Sequence, residues 1–265
     1  MNRLQAAFAR AASENRAALV TYLCAGDPTL ETSLDALRAA AKAGADIIEV
    51  GMPFSDPTAD GPVIQRASER ALRSGTTLAS VFGMVRTLRN EFPQVGIVVF
   101  GYYNPILAFG EEQAAAAAKQ AGVDGFLVVD LPPEESTTFR AVLTAHGLDF
   151  VPLVAPTTPD ARVDLIAATA GSFIYYVSLT GVTGAETDLV QAGKRAVQVR
   201  ARTGRPVAVG FGVKTADDAR SLAKVADGVV VGSALCSLIE RAATPKEAVI
   251  AVSALVASLR AACVR

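Results

Sequence analysis

Glu49 stands inside an otherwise apolar run, Ile47-Ile48-Glu49-Val50-Gly51. Side chains alternate along a strand, so Glu49 faces either the interior enclosed by a sheet or the helices packed outside it. An unpaired carboxylate is costly in both places. Such a position calls for a partner or a chemical role, the plain alternative being a hydrogen-bonded acid that holds a loop. Asp56 and Asp60 follow on a stretch rich in glycine and proline, Met52-Pro53-Phe54-Ser55-Asp56-Pro57-Thr58-Ala59-Asp60-Gly61-Pro62, where an Asx turn or a helix cap is the ordinary use of an acid. Two carboxylates can share acid and base work when burial raises the pKa of one and solvent keeps the other ionised. Gly210-Phe211-Gly212-Val213 and Val231-Gly232-Ser233-Ala234 end two further apolar runs. Backbone N–H groups at such turns can cradle a phosphate, although tight strand–helix turns also require glycine. Ser178-Leu179-Thr180-Gly181-Val182-Thr183-Gly184-Ala185 is small and polar, which suits a lid over a ligand.

Other chemistries have less support. Lys42, Lys119, Lys194, Lys224 and Lys246 read as helical, and Lys214 lies just beyond a glycine turn better used for phosphate, so a Schiff base is not expected. His146 is the sole histidine, and His146-Gly147 reads as a helix C-terminus on the face opposite the site, which gives a histidine-liganded metal no footing.

The elements that must position these residues alternate in kind. Short apolar runs read as strands at 18–23, 45–51, 95–102, 125–130, 150–156, 172–178, 206–212 and 228–233, separated by segments of helical periodicity. Val81, Met84, Val85 and Leu88 share one helical face, as do Ala248, Val252, Leu255, Val256 and Leu259. Thr244-Pro245-Lys246-Glu247 carries the signature of a helix start, and Thr158-Pro159-Asp160 reads similarly. Eight such units in 265 residues match a closed (β/α)8 barrel of the TIM type, with an extra N-terminal helix and a short extra helix before the last one. A doubly wound open sheet is the alternative, but no GxGxxG follows the first strand and the informative segments end several different strands. No linker divides the chain, so residues 1–265 are expected to form one domain.

A formal net charge of −1 excludes the basic stripe of a nucleic-acid binder. Cys24, Cys236 and Cys263 form no disulfide framework or CxxC pair, in keeping with a reducing cytoplasm. The first residues, MNRLQAAFARAASENR, read as an amphipathic helix and not as a signal peptide, and no segment reaches membrane-spanning length. A soluble cytoplasmic protein is expected.

Taken in order, PFSDPTADGP, SLTGVTGAE, GFGV and VGSAL, together with Gly26-Asp27-Pro28, Tyr102, Asn104 and Asp130-Leu131-Pro132, resemble the tryptophan synthase α chains over nearly the whole sequence. The resemblance implies a lyase that cleaves indole-3-glycerol phosphate to indole and glyceraldehyde 3-phosphate in L-tryptophan biosynthesis. Glu49 and Asp60 match the family's catalytic carboxylates. It further implies substrate contacts at Tyr22, Phe100, Tyr102, Leu127, Tyr175, Thr183 and Phe211, and phosphate contacts at Gly184, Gly212, Gly232 and Ser233. Leu179, Thr58 and Phe100 depart from the family's usual residues. The partner implied is a β chain in an αββα heterotetramer; pyridoxal phosphate is expected only there, and neither cofactor nor metal in this chain. Another phosphate-binding barrel, or a non-catalytic subunit that only activates its partner, would share some of these features.

Overall fold

The computed structural model describes residues 2–177, 185–210 and 212–265, without the side chains of 185–191. Each expected strand is found: β1 (Ala18–Cys24), β2 (Ile47–Gly51), β3 (Gly96–Gly101), β4 (Gly125–Val128), β5 (Asp149–Phe150), β6 (Leu153–Val154), β7 (Ile174–Val177), β8 (Val207–Gly210) and β9 (Gly228–Val231). All pair in parallel, in the order β5-β4-β3-β2-β1-β9-β8-β7-β6. The fifth expected strand is thus two pieces, because Pro152 has no N–H with which to continue the ladder. Val151 N still donates to Phe126 O at 2.8 Å, and Tyr175 N donates to Pro152 O at 3.0 Å. One stave therefore bonds β4 with its first half and β7 with its second, and the sheet closes into a (β/α)8 barrel.

Alternation sorts the strand residues into two cores. Ala18, Val20, Ile47, Val98, Leu127, Val151, Ala208 and Val230 pack together inside the barrel, whereas Leu19, Leu23, Ile48, Val50, Ile97, Val99, Phe126, Val209, Val229 and Val231 pack against the helices. The N-terminal helix α1 (Arg3–Ser13), started by an Asn2 capping box, buries Leu4, Ala7, Phe8 and Ala11 and closes the lower end, where Phe8 meets Phe173 at 5.1 Å. The strands are joined by α2 (Leu30–Lys42), α3 (Pro62–Arg73), α4 (Leu78–Glu91), α5 (Tyr103–Phe109), α6 (Glu111–Ala121), α7 (Thr137–Ala145), α8 (Asp160–Thr169), α9 (Ala185–Thr203) and α10 (Ala216–Ala223). The expected extra helix is α11 (Ser233–Arg241), ahead of α12 (Pro245–Ala262). Thr244 caps α12 by accepting from Glu247 N. Thr158 does not cap α8: its hydroxyl accepts from Ala155 N instead, and Pro159 occupies the N-cap position. His146 does end α7, its ring held at Val142 O and beside Glu112.

The lower rim carries a repeated device. In Gly44-Ala45-Asp46, Gly122-Val123-Asp124 and Gly147-Leu148-Asp149 a positive-φ glycine ends a helix and delivers an aspartate to a strand entrance; Val225-Ala226-Asp227 does the same without the glycine. Asp46 accepts from Leu19 N, Asp124 from Ile97 N and Asp227 from Val207 N, in each case the first free donor of a neighbouring strand. Arginines complete the arrangement. Arg16, only 3% exposed, forks onto Asp46 at 2.5 and 2.9 Å, and Arg89 reaches Asp124 at 2.7 Å. Removing one member of a buried pair strands the other charge. Asp46→Ala should therefore lower the unfolding free energy by about 3–5 kcal/mol, read from the denaturant midpoint, while catalytic constants change by less than about 3-fold.

Candidate active site at the upper rim

The opposite ends of the strands bring the expected carboxylates and aromatic rings to one place. Glu49 is the third residue of β2, between the inward Ile47 and Gly51, and is fully buried in the barrel interior. Among the described residues, neither carboxylate oxygen has a hydrogen-bond partner. Burial alone pushes its pKa up to about 8.

Asp60 sits on the loop between β2 and α3, half-buried. Turns built from Thr58 N to Asp56 O (2.9 Å) and Asp60 N to Pro57 O (3.1 Å) shape the loop, and Gln65 of α3 donates to Asp60 O at 2.9 Å. Tyr102, at the end of β3, fixes it from the other side. Its hydroxyl accepts from Ala59 N at 2.9 Å and donates to Asp60 Oδ2 at 3.2 Å, while its ring packs on Phe54 at 5.2 Å. Burial raises the Asp60 pKa to about 6 against the opposing pull of that hydrogen bond. Burial thus acts on both carboxyls in the same direction, and further on Glu49 than on Asp60.

Three rings form one wall. Tyr22 meets Phe100 edge-on at 5.0 Å and 72°, and Phe100 lies 6.4 Å from Tyr175. Leu127 stands beside Phe100 in the register of β3 and β4. Both phenols are shifted well above their ordinary pKa: Tyr22 by burial first, then by the Cys24 and Cys236 thiols and the two carboxylates, and Tyr175 by burial, Glu49 and Asp60. Tyr22 is also the register partner of Glu49 across β1 and β2, which sets the acid beside this wall. Of the residues expected to hold phosphate, Gly212 is at φ +52°, and Gly232 and Ser233 begin α11 with no side chain capping its first-turn N–H groups. Thr183, Gly184 and Phe211, with Leu179 of the expected lid, lie outside the described residues. Sequence reading gave no role to Arg70 of α3, which forks onto the buried Asp27 after β1 at 2.7 and 2.9 Å and reaches Glu240 of α11 at 3.0 Å. A lone arginine on an amphipathic helix carries no signal of such partners. Its effect is to tie the helix after the Asp60 loop to the helix of the phosphate turn.

The family described as "Tryptophan synthase alpha chain" matches residues 8–264. A tryptophan synthase alpha chain from Desulfosudis oleivorans is 52% identical over 241 residues, covering 91% of each chain, and one from Burkholderia thailandensis is 48% identical over 263 residues, covering 99% of this chain and 97% of its own. Among solved structures, a tryptophan synthase alpha chain from Legionella pneumophila superposes with a TM-score of 0.91 at 38% identity, over 99% of this chain and 97% of its own. A tryptophan synthase structure from Mycobacterium tuberculosis superposes with a TM-score of 0.89 at 34% identity, covering 99% of each chain.

Proposed function

This chain belongs to the tryptophan synthase alpha chain family and is a lyase of tryptophan biosynthesis that splits indole-3-glycerol phosphate into indole and glyceraldehyde 3-phosphate; we propose that Glu49 and Asp60 carry that reaction. The observation supporting this assignment most directly is the difference in setting of the two carboxyls, Glu49 fully buried with no hydrogen-bond partner among the described residues and Asp60 held on the rim loop by the Tyr102 hydroxyl.

Breaking the bond between indole C3 and the adjoining side-chain carbon requires a place for the bonding electron pair. Protonating C3 makes one, because the resulting indolenine has a C=N⁺ that accepts the pair as the bond breaks. Glu49, neutral at pH 7, is the donor to C3. Once ionised it takes the proton from the hydroxyl on the departing carbon, so that the aldehyde forms as indole leaves and the acid is regenerated. Asp60, ionised, faces the indole N–H and stabilises the positive charge that develops there. Tyr22, Phe100, Leu127, Tyr175 and Phe211 form walls for the flat ring, Thr183 is a further substrate contact, and Gly184, Gly212, Gly232 and Ser233 hold the phosphate end. Tyr102 contributes by holding Asp60 and the loop, and through them the substrate.

A β chain is the partner that the family implies. We assign an αββα assembly in which pyridoxal phosphate resides in the β chain and this chain uses no cofactor. Residues 1–265 act as one domain in this reading, and the setting is cytoplasmic; no helix among the described residues is long and apolar enough to cross a membrane.

The test is release of indole and glyceraldehyde 3-phosphate from indole-3-glycerol phosphate, with and without added β chain, across pH. Release that rises with the partner is expected. Its kcat/KM should follow a bell with limbs near pH 6 and pH 8, since activity needs Asp60 ionised and Glu49 protonated. Substrate binding and β-chain activation with no indole released would instead favour the regulatory subunit, and a flat profile between pH 5 and 9 would reject the division of roles.

A further inference from the structure

Gly51 lies two residues beyond Glu49 on the same inward face of β2, and its backbone is ordinary strand with no positive φ. Nothing in its conformation demands glycine, and a mid-sheet glycine is normally a weakness. What demands it is Tyr22. A β-carbon built on Gly51 would lie 2.6 Å from Tyr22 Cζ and 2.8 Å from Cε2, and closer still to the hydroxyl oxygen, distances that no real side chain sustains. The ring also rests at its other end on Gly232, where an added β-carbon would stand 3.2 Å from Tyr22 Cβ. Tyr22 is itself the register partner of Glu49. Its phenol therefore reaches across to β2 at Gly51, two residues beyond the buried acid, seated between the carboxylate strand and the first residue of the phosphate turn.

We propose that Gly51 is a positioning residue for the lyase reaction: its missing side chain is the seat that sets the Tyr22 ring, and so the indole-facing wall with Phe100, at the correct place over Glu49. The inference rests on the substrate placement proposed above. It accounts for a glycine where strand propensity would favour almost any other residue, and it ties Gly51 to Tyr22, the side chain nearest to where its β-carbon would be. An alanine at this position drives the ring either into the substrate space or away from Phe100. Misplacement of that order is worth about 100-fold in rate.

A double-mutant cycle tests this, with kcat/KM for indole release and thermal midpoints measured on the full chain. Gly51→Ala should lower kcat/KM by about 100-fold when Tyr22 is present but by less than about 2-fold in a Tyr22→Leu background, where no ring remains to displace. The same coupling should appear in the melting temperature: Gly51→Ala lowers it in the native background and leaves it unchanged or higher with Leu at 22. If Gly51→Ala fails to fold, the double variant must fold as Tyr22→Leu does. Equal losses in both backgrounds, by rate or by melting temperature, or a near-native Gly51→Ala, would overturn the proposal. A native chain that releases no indole would defeat the proposed function instead, and the melting-temperature cycle would still decide the seat.

Discussion

Replacing Glu49 by Gln is expected to lower turnover by about 10⁴-fold while substrate binding stays close to native, because the amide keeps the shape of the protonated acid but can neither give a proton to C3 nor take one back. The same substitution should stabilise the fold. In the unfolded chain a glutamate ionises near 4.5, whereas burial holds Glu49 protonated to about 8, so between these values the unfolded state binds fewer protons and stability falls as pH rises. At pH 7 the accumulated cost is about 3 kcal/mol. Glu49→Gln removes it, and the gain should shrink to nothing as pH drops below 4.5. Denaturation curves at pH 4.5 and pH 7, set beside single-turnover rates, measure both effects. Near-native turnover would reject Glu49 as the acid, and an unchanged pH dependence of stability would reject its buried, protonated state.

For Asp60→Asn the expected loss is about 10²–10³-fold, the usual worth of a group that stabilises charge in the transition state without exchanging a proton. The fall should appear in kcat more than in KM, since the ionised group interacts most strongly with the charge that develops at the indole nitrogen. Tyr102→Phe separates this role from loop placement. It deletes the hydrogen bond that lowers the Asp60 pKa, so the acid limb of the pH profile should move upward from about 6, with a smaller loss of rate near its optimum. A limb that stays in place would mean that some other group sets it.

Several of these features could be read from the residues alone. The eight staves stand out as apolar runs because strands covered on both faces need little polar alternation, and Glu49 is conspicuous for the same reason. What periodicity cannot reveal is who meets whom. Tyr102 is 42 residues from Asp60, and Arg70 is 43 from Asp27, so each pairing exists only once the barrel has closed. The division of the fifth stave follows from Pro152, whose effect on a ladder depends on which side its neighbour bonds. Thr158 has the letters of a helix start, yet its hydroxyl is taken up by Ala155 N. The glycine–aspartate device on the lower rim goes unnoticed in the sequence, because its meaning, a carboxylate bonded to the neighbouring strand, depends on the register.

That device has a consequence for how substitutions in this chain are felt by a cell. Asp46, Asp124 and Asp227 serve backbone N–H groups and arginines at the entrances of the strands, at the end of the barrel opposite the loop that carries Asp60. A change there alters how much folded protein survives proteolysis, whereas a change at Glu49 or Asp60 alters what each surviving molecule can do. Loss at the lower rim is then a deficit of abundance, which higher expression or a lower growth temperature relieves; loss at the upper rim is a deficit of flux per molecule, which neither can restore.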